Sequence, residues 1–148
     1  MLDLASKIKT VAVLGPIAAT TDQNGSFDRA GFESCVLLFV TGAGGITFDA
    51  TNKLDNVVQH SDDNSTFTAV AAADVVITLP DGTEGAWASG GIVRSLQAAH
   101  AAKSVTKVSY IGNKRYIKVL EDFSGTHGTA TPVAVVAVLG DGNIPAGV

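Results

Sequence analysis

Apolar and polar positions alternate along this chain in short runs separated by turn-forming residues, and that spacing is the first guide to its fold. Thr10 to Leu14 sets Val11 and Val13 on one face, and Gly15-Pro16 is expected to stop this first strand. Thr20 to Ser26 is polar and contains Asn24-Gly25, a dipeptide suited to tight turns, which predicts an exposed loop. From Phe32 to Thr41 the residues are almost continuously apolar, as in a strand covered on both faces. Gly42-Ala43-Gly44-Gly45 ends the run, and the pattern places the centre of a sheet here. Asn56 to His60 follows, closed by Ser61-Asp62-Asp63-Asn64-Ser65, whose short polar side chains can bond their own backbone. Phe67 and Ala69 then alternate with Thr66, Thr68 and Val70, and Asp74 to Leu79 forms a β-branched strand ended by Pro80-Asp81-Gly82.

One stretch supports two readings. Residues 92–103 contain good helix formers with Ile92, Leu96 and Ala99 at helical spacing, while Gly90-Gly91 before them and Val105-Thr106 after them fit a strand and loop equally well. Val105 to Leu120 reads as a hairpin broken at Gly112-Asn113, with Tyr116, Lys118 and Leu120 on one face of its second arm and Arg115, Ile117 and Val119 on the other. After a Gly- and Thr-rich loop, Pro132 to Leu139 is the strongest buried-strand signal in the chain. Strand and turn recur about every ten residues, which predicts an all-β fold, an antiparallel sandwich or barrel, with room for one short helix around 92–103. The expected organisation is a single domain over 1–148, with an extended N-terminal segment (1–17) and a loose C-terminal tail (140–148).

Composition sharpens this picture. Hydrophobic residues make up 46% of the 148 and charged residues 16%, too little charge for a wholly solvated surface, so part of that surface is expected to be covered by something else. Ala, Val and Gly dominate the apolar set, which favours strands built from small and β-branched side chains. A net charge of -4 argues against binding a phosphate backbone, so no nucleic acid is expected as a ligand. The single cysteine, Cys35, sits in an apolar run and reads as an inert buried thiol. Met1 to Lys7 lacks the basic-then-apolar order of a signal peptide, and no apolar run reaches membrane-spanning length. The expectation is a protein made and kept in the cytoplasm, without a membrane partner.

Candidate chemistry is sparse. Gly42-Ala43-Gly44-Gly45 lacks the Lys-Ser/Thr pair of a phosphate-binding loop, and Asp62-Asp63-Asn64 lacks the spaced ligands and final Glu of a calcium loop. His60, His100 and His127 stand far apart with no zinc-type spacing, and no Gly-x-Ser-x-Gly elbow is present. The sequence therefore predicts no catalytic set, metal or cofactor. Lys114, Arg115 and Lys118 form the one basic cluster, interleaved with Tyr110 and Tyr116. A solvated hairpin face and a docking surface fit it equally well, and as a docking surface its contacts would be Tyr110, Lys114, Arg115 and Tyr116.

The stretch Val108-Ser109-Tyr110-Ile111-Gly112-Asn113-Lys114-Arg115-Tyr116-Ile117-Lys118-Val119, followed by Gly125-Thr126 and the small-residue strand to Leu139, resembles a family of small virion proteins of tailed phages and prophages. Gly31-Phe32-Glu33 and the block from Gln59 to Val70 resemble earlier parts of the same family, so the resemblance runs through most of the chain in order. It implies a capsid decoration (cement) protein that binds the outside of the major capsid protein lattice, located on the virion surface, with no catalytic residues. The alternative it leaves open is a head-tail joining or tail component. A decoration role suits a homo-oligomer, with a trimer expected at three-fold points of a shell. The apolar N-terminal residues Leu2, Leu4, Ile8, Val11 and Val13 are then candidates for ordering on the lattice, and removing the first dozen residues is expected to spare the fold.

Overall fold

The computed structural model describes residues 3–142. Ten strands follow one another: β1 (Lys9–Ala19), β2 (Gln23–Asp28), β3 (Phe32–Thr41), β4 (Lys53–Ser61), β5 (Thr68–Ala69), β6 (Val75–Thr78), β7 (Ile92–Leu96), β8 (Ser104–Tyr110), β9 (Tyr116–Ser124) and β10 (Thr131–Gly142). Single 3-10 turns at Ala5–Lys7 and Ala72–Asp74 are the helical elements among the described residues. The strands form two antiparallel sheets, so the fold is all-β. Sheet I runs β1-β10-β3-β8-β6, and sheet II runs β2-β9-β4-β5 with β7 also paired to β4.

Period-two alternation turns one face of each sheet inward. Cys35, Leu37 and Phe39 of β3, Val108 and Tyr110 of β8 and Val135, Ala137 and Leu139 of β10 meet Phe27 of β2, Val58 of β4 and Ile117 and Val119 of β9 in one core. A second apolar cluster, Ala19, Phe48, Leu54, Leu96, Phe123 and Val133, fills the other end of the sandwich.

Several expectations are corrected by this arrangement. The segment 105–120 is no hairpin: β8 pairs with β3 and β6 in sheet I, whereas β9 pairs with β2 and β4 in sheet II, so residues 111–115 carry the chain from one sheet to the other. Alternation reports which face of a strand turns inward, and two strands facing each other across a core alternate just as two hydrogen-bonded neighbours do. No helix forms over 92–103. β7 takes its first half because pairing to β4 places Arg94 opposite Asn56 and Leu96 opposite Leu54, and residues 97–103 are irregular.

Gly15-Pro16 does not end β1. The strand runs on to Ala19 through register shifts between Ala12 and Leu14 and between Leu14 and Ile17, where an edge strand tolerates a residue with no N–H. Asn24-Gly25 lies within β2 rather than in a turn. A Cβ at Gly25 would collide with the Val13 carbonyl oxygen, so glycine is needed there for the close approach of β1 to β2.

From Lys9 the N-terminal segment is built into sheet I as β1. β1 pairs with β10 from Lys9 to Ala19, and Val11 and Val13 pack on the core, so removing the first dozen residues would strip Lys9 to Ala12, and with them the core contact of Val11, from an edge strand. Of the proposed tail, Gly140–Gly142 continues β10, and residues 143–148 lie outside the described residues, as does Leu2.

Candidate docking surfaces

The two outer faces of the sandwich differ sharply. In sheet II, alternation turns Asn24, Ser26 and Asp28 of β2, Tyr116, Lys118, Leu120 and Asp122 of β9, and Lys53, Asp55, Val57 and Gln59 of β4 outward, a mostly polar face in which Asp55 and Val57 are themselves covered. Sheet I turns out Ala12 of β1, Val36, Leu38 and Val40 of β3, Val105 and Ser109 of β8, Ala134, Val136 and Val138 of β10, and Val76 of β6. Lys107 of β8 is the one ionisable side chain among these outward positions. At this face Val76 is 48% exposed and Val105 40% exposed, while Val36, Leu38, Val40, Val136 and Val138 are half-buried by one another. An apolar cleft of about 220 Å³ opens at its margin, lined by Pro16, Ile17, Val40, Gly42, Pro132, Val133 and Ala134.

This is the counterpart of the near-continuous apolar runs in β3 and β10. Such runs predict cover on both faces, and among the described residues only the inward face has it. The outward residues of sheet I were not singled out from the sequence, although the runs themselves carried the signal.

The residues that were singled out converge at one end of the sandwich. Register places Lys9, Leu139, Cys35, Tyr110 and Val75 in one row across sheet I, so the N-terminal turn and the 111–115 crossing lie at the same end. Leu4 (68%) and Ile111 (61%) are exposed there, and Ile8 is half-buried. Tyr110 is not available to a partner: it is 2% exposed, with its ring in the core. Its hydroxyl lies 2.8 Å from His60 Nδ1 and accepts the Lys114 backbone N–H at 3.1 Å, and the Arg29 guanidinium sits 5.3 Å from the ring centroid. Arg29 holds the crossing in place, donating to the carbonyls of Lys114 (2.6 Å), Gly112 (3.0 Å) and Phe32 (3.4 Å).

The basic side chains at this end are already engaged. Lys114 pairs with Asp62, and Arg115 forks onto Asp28 at 3.0 and 2.7 Å while lying over the Tyr116 ring. The Arg115 fork keeps the Asp28 carboxyl below the usual range. A polar cleft of about 240 Å³ beside them is lined by His60, Ser61, Asp62, Asp63, Thr66, Thr68 and Lys114. Asp63 is committed to the turn, accepting from Ser61 Oγ and from the N–H groups of Ser65 and Thr66, which draws its carboxyl down to about 2. Burial pushes the His60 imidazole below its ordinary value and so keeps it neutral.

The three histidines do not meet. His100 and His127 flank Phe48, at 6.3 and 6.0 Å between ring centroids, while His60 stacks edge-on against Tyr110. Among the described residues no three His, Cys, Asp or Glu side chains converge as metal ligands, and no helix is long and apolar enough to cross a membrane.

The architecture is that of a two-sheet antiparallel sandwich with one polar and one apolar outer face. No protein-family model matches the chain, and no curated protein resembles it significantly. Among solved structures it is similar to the SPBc2 prophage-derived protein YomS, with a TM-score of 0.51 and 12% identity over 89% of this chain and 91% of that one. At that identity the likeness is one of fold. Overlaps with a family two carbohydrate esterase from Cellvibrio japonicus (TM-score 0.27, 12% identity, 95% of this chain and 36% of that one) and with the infectious bursal disease virus VP2 subviral particle (0.22, 13%, 93% and 42%) are too loose to bear on this chain.

Proposed function

We propose that this chain is a structural protein of a phage virion, and that it decorates the head by laying the outer face of sheet I on the major capsid protein lattice. The observation that carries the reading is that apolar face, where Lys107 is the one ionisable side chain among the outward strand positions named above and Lys103 stands at the margin beside Val40 and Val105. Five strands about 4.8 Å apart make a patch roughly 20 Å on a side, about 400 Å². A standard interface takes about 800 Å² from each partner, so one such patch holds weakly and gains from being repeated. A homo-oligomer, with a trimer as the first choice, presents several copies at once to a symmetric shell. The fold likeness to a prophage-derived protein and the sequence resemblance to small virion proteins support the same class.

Cosedimentation of the purified protein with undecorated, expanded heads, together with its solution mass, tests the proposal. Saturable binding by an oligomer, lost in the double variant Leu38→Lys/Val136→Lys while the fold is kept, is the expected result. Indifference to heads combined with ring formation or binding to portal or tail complexes would make head-tail joining the function. Binding that survives the double variant would remove sheet I as the docking face.

A further inference from the structure

Between the two apolar clusters lies a layer of polar side chains. In sheet II, Glu121 of β9, Asn56 of β4 and Arg94 of β7 stand in one row, because Asn56 is the register partner of both others. Glu121 and Asn56 are fully buried, and Arg94 is half-buried. Asn56 Nδ2 donates to Glu121 Oε2. The second oxygens of the same two groups, Glu121 Oε1 and Asn56 Oδ1, are both buried and have no partner.

If Glu121 is ionised, those two atoms are both acceptors, and neither has a hydrogen to offer the other in a site where both are buried. That arrangement leaves two buried polar groups unsatisfied and a desolvated charge beside them. A proton on Oε1 removes all three penalties, since Oε1–H then donates to Oδ1 and the acid and the amide close a pair of hydrogen bonds. We propose that Glu121 is a neutral carboxylic acid in the folded protein, paired cyclically with Asn56, and that its proton decides whether Arg94 ties the two sheets together.

The second half of this proposal rests on what Arg94 does in the structure. Its Nη1 donates to Ser104 Oγ at 3.0 Å and to Thr106 Oγ1 at 2.8 Å, both on β8, so it reaches across the sandwich from sheet II to sheet I. Among the described residues, no other charged group acts on Glu121 at this level. The inward residues of sheet I beside it, Thr41 and Thr106, do not titrate, its β2 register partner is Gln23, and Asp55 and Asp122 point to the outer face of sheet II. Loss of the proton therefore creates a buried anion whose available cation is Arg94, at the expense of the bonds that tie β7 to β8. Burial pushes the Glu121 carboxyl up to about 8, and the hydrogen bond from Asn56, then the field of Arg94, hold it from going higher.

The folded state binds this proton more tightly than the unfolded chain, where Glu121 titrates near 4.5. Stability that Glu121 contributes at low pH is thus lost as pH rises from about 4.5 to about 8, by close to tenfold in the unfolding equilibrium constant per pH unit. Glu121→Gln copies the neutral acid, with its own N–H directed at Asn56 Oδ1. Denaturant unfolding of the two proteins from pH 5 to 9 should show the wild type losing stability relative to Glu121→Gln at about tenfold per unit up to pH 7.5, then levelling above 8. The side-chain carboxyl carbon of Glu121, followed by NMR in the folded wild type, should titrate with a midpoint near 8, and Arg94→Gln should move that midpoint upward. A midpoint below 5, or a Glu121→Gln variant tenfold or more less stable than wild type at pH 7, would overturn the neutral acid. An unmoved midpoint in Arg94→Gln would overturn the part assigned to Arg94. The NMR titration needs only the folded wild type, so it decides the first point even if a variant fails to fold.

Discussion

Replacing Tyr110 by Phe removes one buried oxygen and little else, which makes its effect calculable. The ring keeps its place in the core and beneath Arg29, and only the hydroxyl is lost. That hydroxyl accepts the Lys114 N–H at 3.1 Å, and with the neutral His60 ring carrying its hydrogen on Nε2 it donates its own proton to Nδ1, 2.8 Å away. That tautomer suits the burial that lowers the His60 pKa and favours the neutral ring. Two net hydrogen bonds contribute about 1 kcal/mol each, and the buried Nδ1 left without a donor costs about 1 kcal/mol more, for a total near 3 kcal/mol. In a domain of this size that lowers Tm by roughly 9 °C.

Thermal unfolding monitored by circular dichroism at pH 8 is the assay, repeated down to pH 5. Because folding holds His60 neutral, its contribution is fully present above about 6.5 and falls away as pH drops below that value. The variant keeps the burial but loses the donor that favours the neutral ring, so its acid-side decline should be shallower than that of the wild type. A Tm within about 1 °C of wild type would refute the bridging role of the hydroxyl, since even one lost hydrogen bond exceeds that.

Gly25→Ala should destabilise by about 1–3 kcal/mol, because the new methyl group forces β1 away from β2 at the Val13 carbonyl, and denaturant unfolding measures it. Cys35, whose thiol burial pushes up to about 12, should react with a thiol reagent at pH 8 only at the rate of global unfolding; fast labelling of the native protein would contradict its place in the core. Arg115→Ala should leave Tm unchanged within error, since its fork onto Asp28 lies on the surface, and a large drop would mean that this end of the sandwich depends on the pair.

Strands were legible in the sequence where burial alone decides: β3 and β10 stand where the apolar runs lie, and the turns at Asp63 and Gly82 follow from their side chains and positive φ. Partners were not legible. The face that β8 and β9 bury is the same whether they pair with each other or face each other across a core, and Gly25 announces a special backbone site without saying which kind. Tyr110 was taken as a surface contact because it sits beside Lys114 and Arg115, yet its parity with Thr106 and Val108 already marked it as inward. Parity likewise placed Glu121 with Ile117, Val119 and Phe123, a carboxylate in an inward series. What no local pattern could give was Asn56 as its neighbour, a contact between residues 65 positions apart.

The pairing of β1 with β10 has a kinetic consequence. Lys9 lies opposite Leu139, and β3, at the centre of sheet I, has β10 as one of its two neighbours. While a ribosome is still making β10, β1 has no partner in its sheet and β3 is bare along one edge. Sheet I is therefore completed only after the last strand emerges, and closing contacts of such sequence separation is slow. Until then the nascent chain carries the open, apolar edge of β3, a template on which another newly made copy can pair.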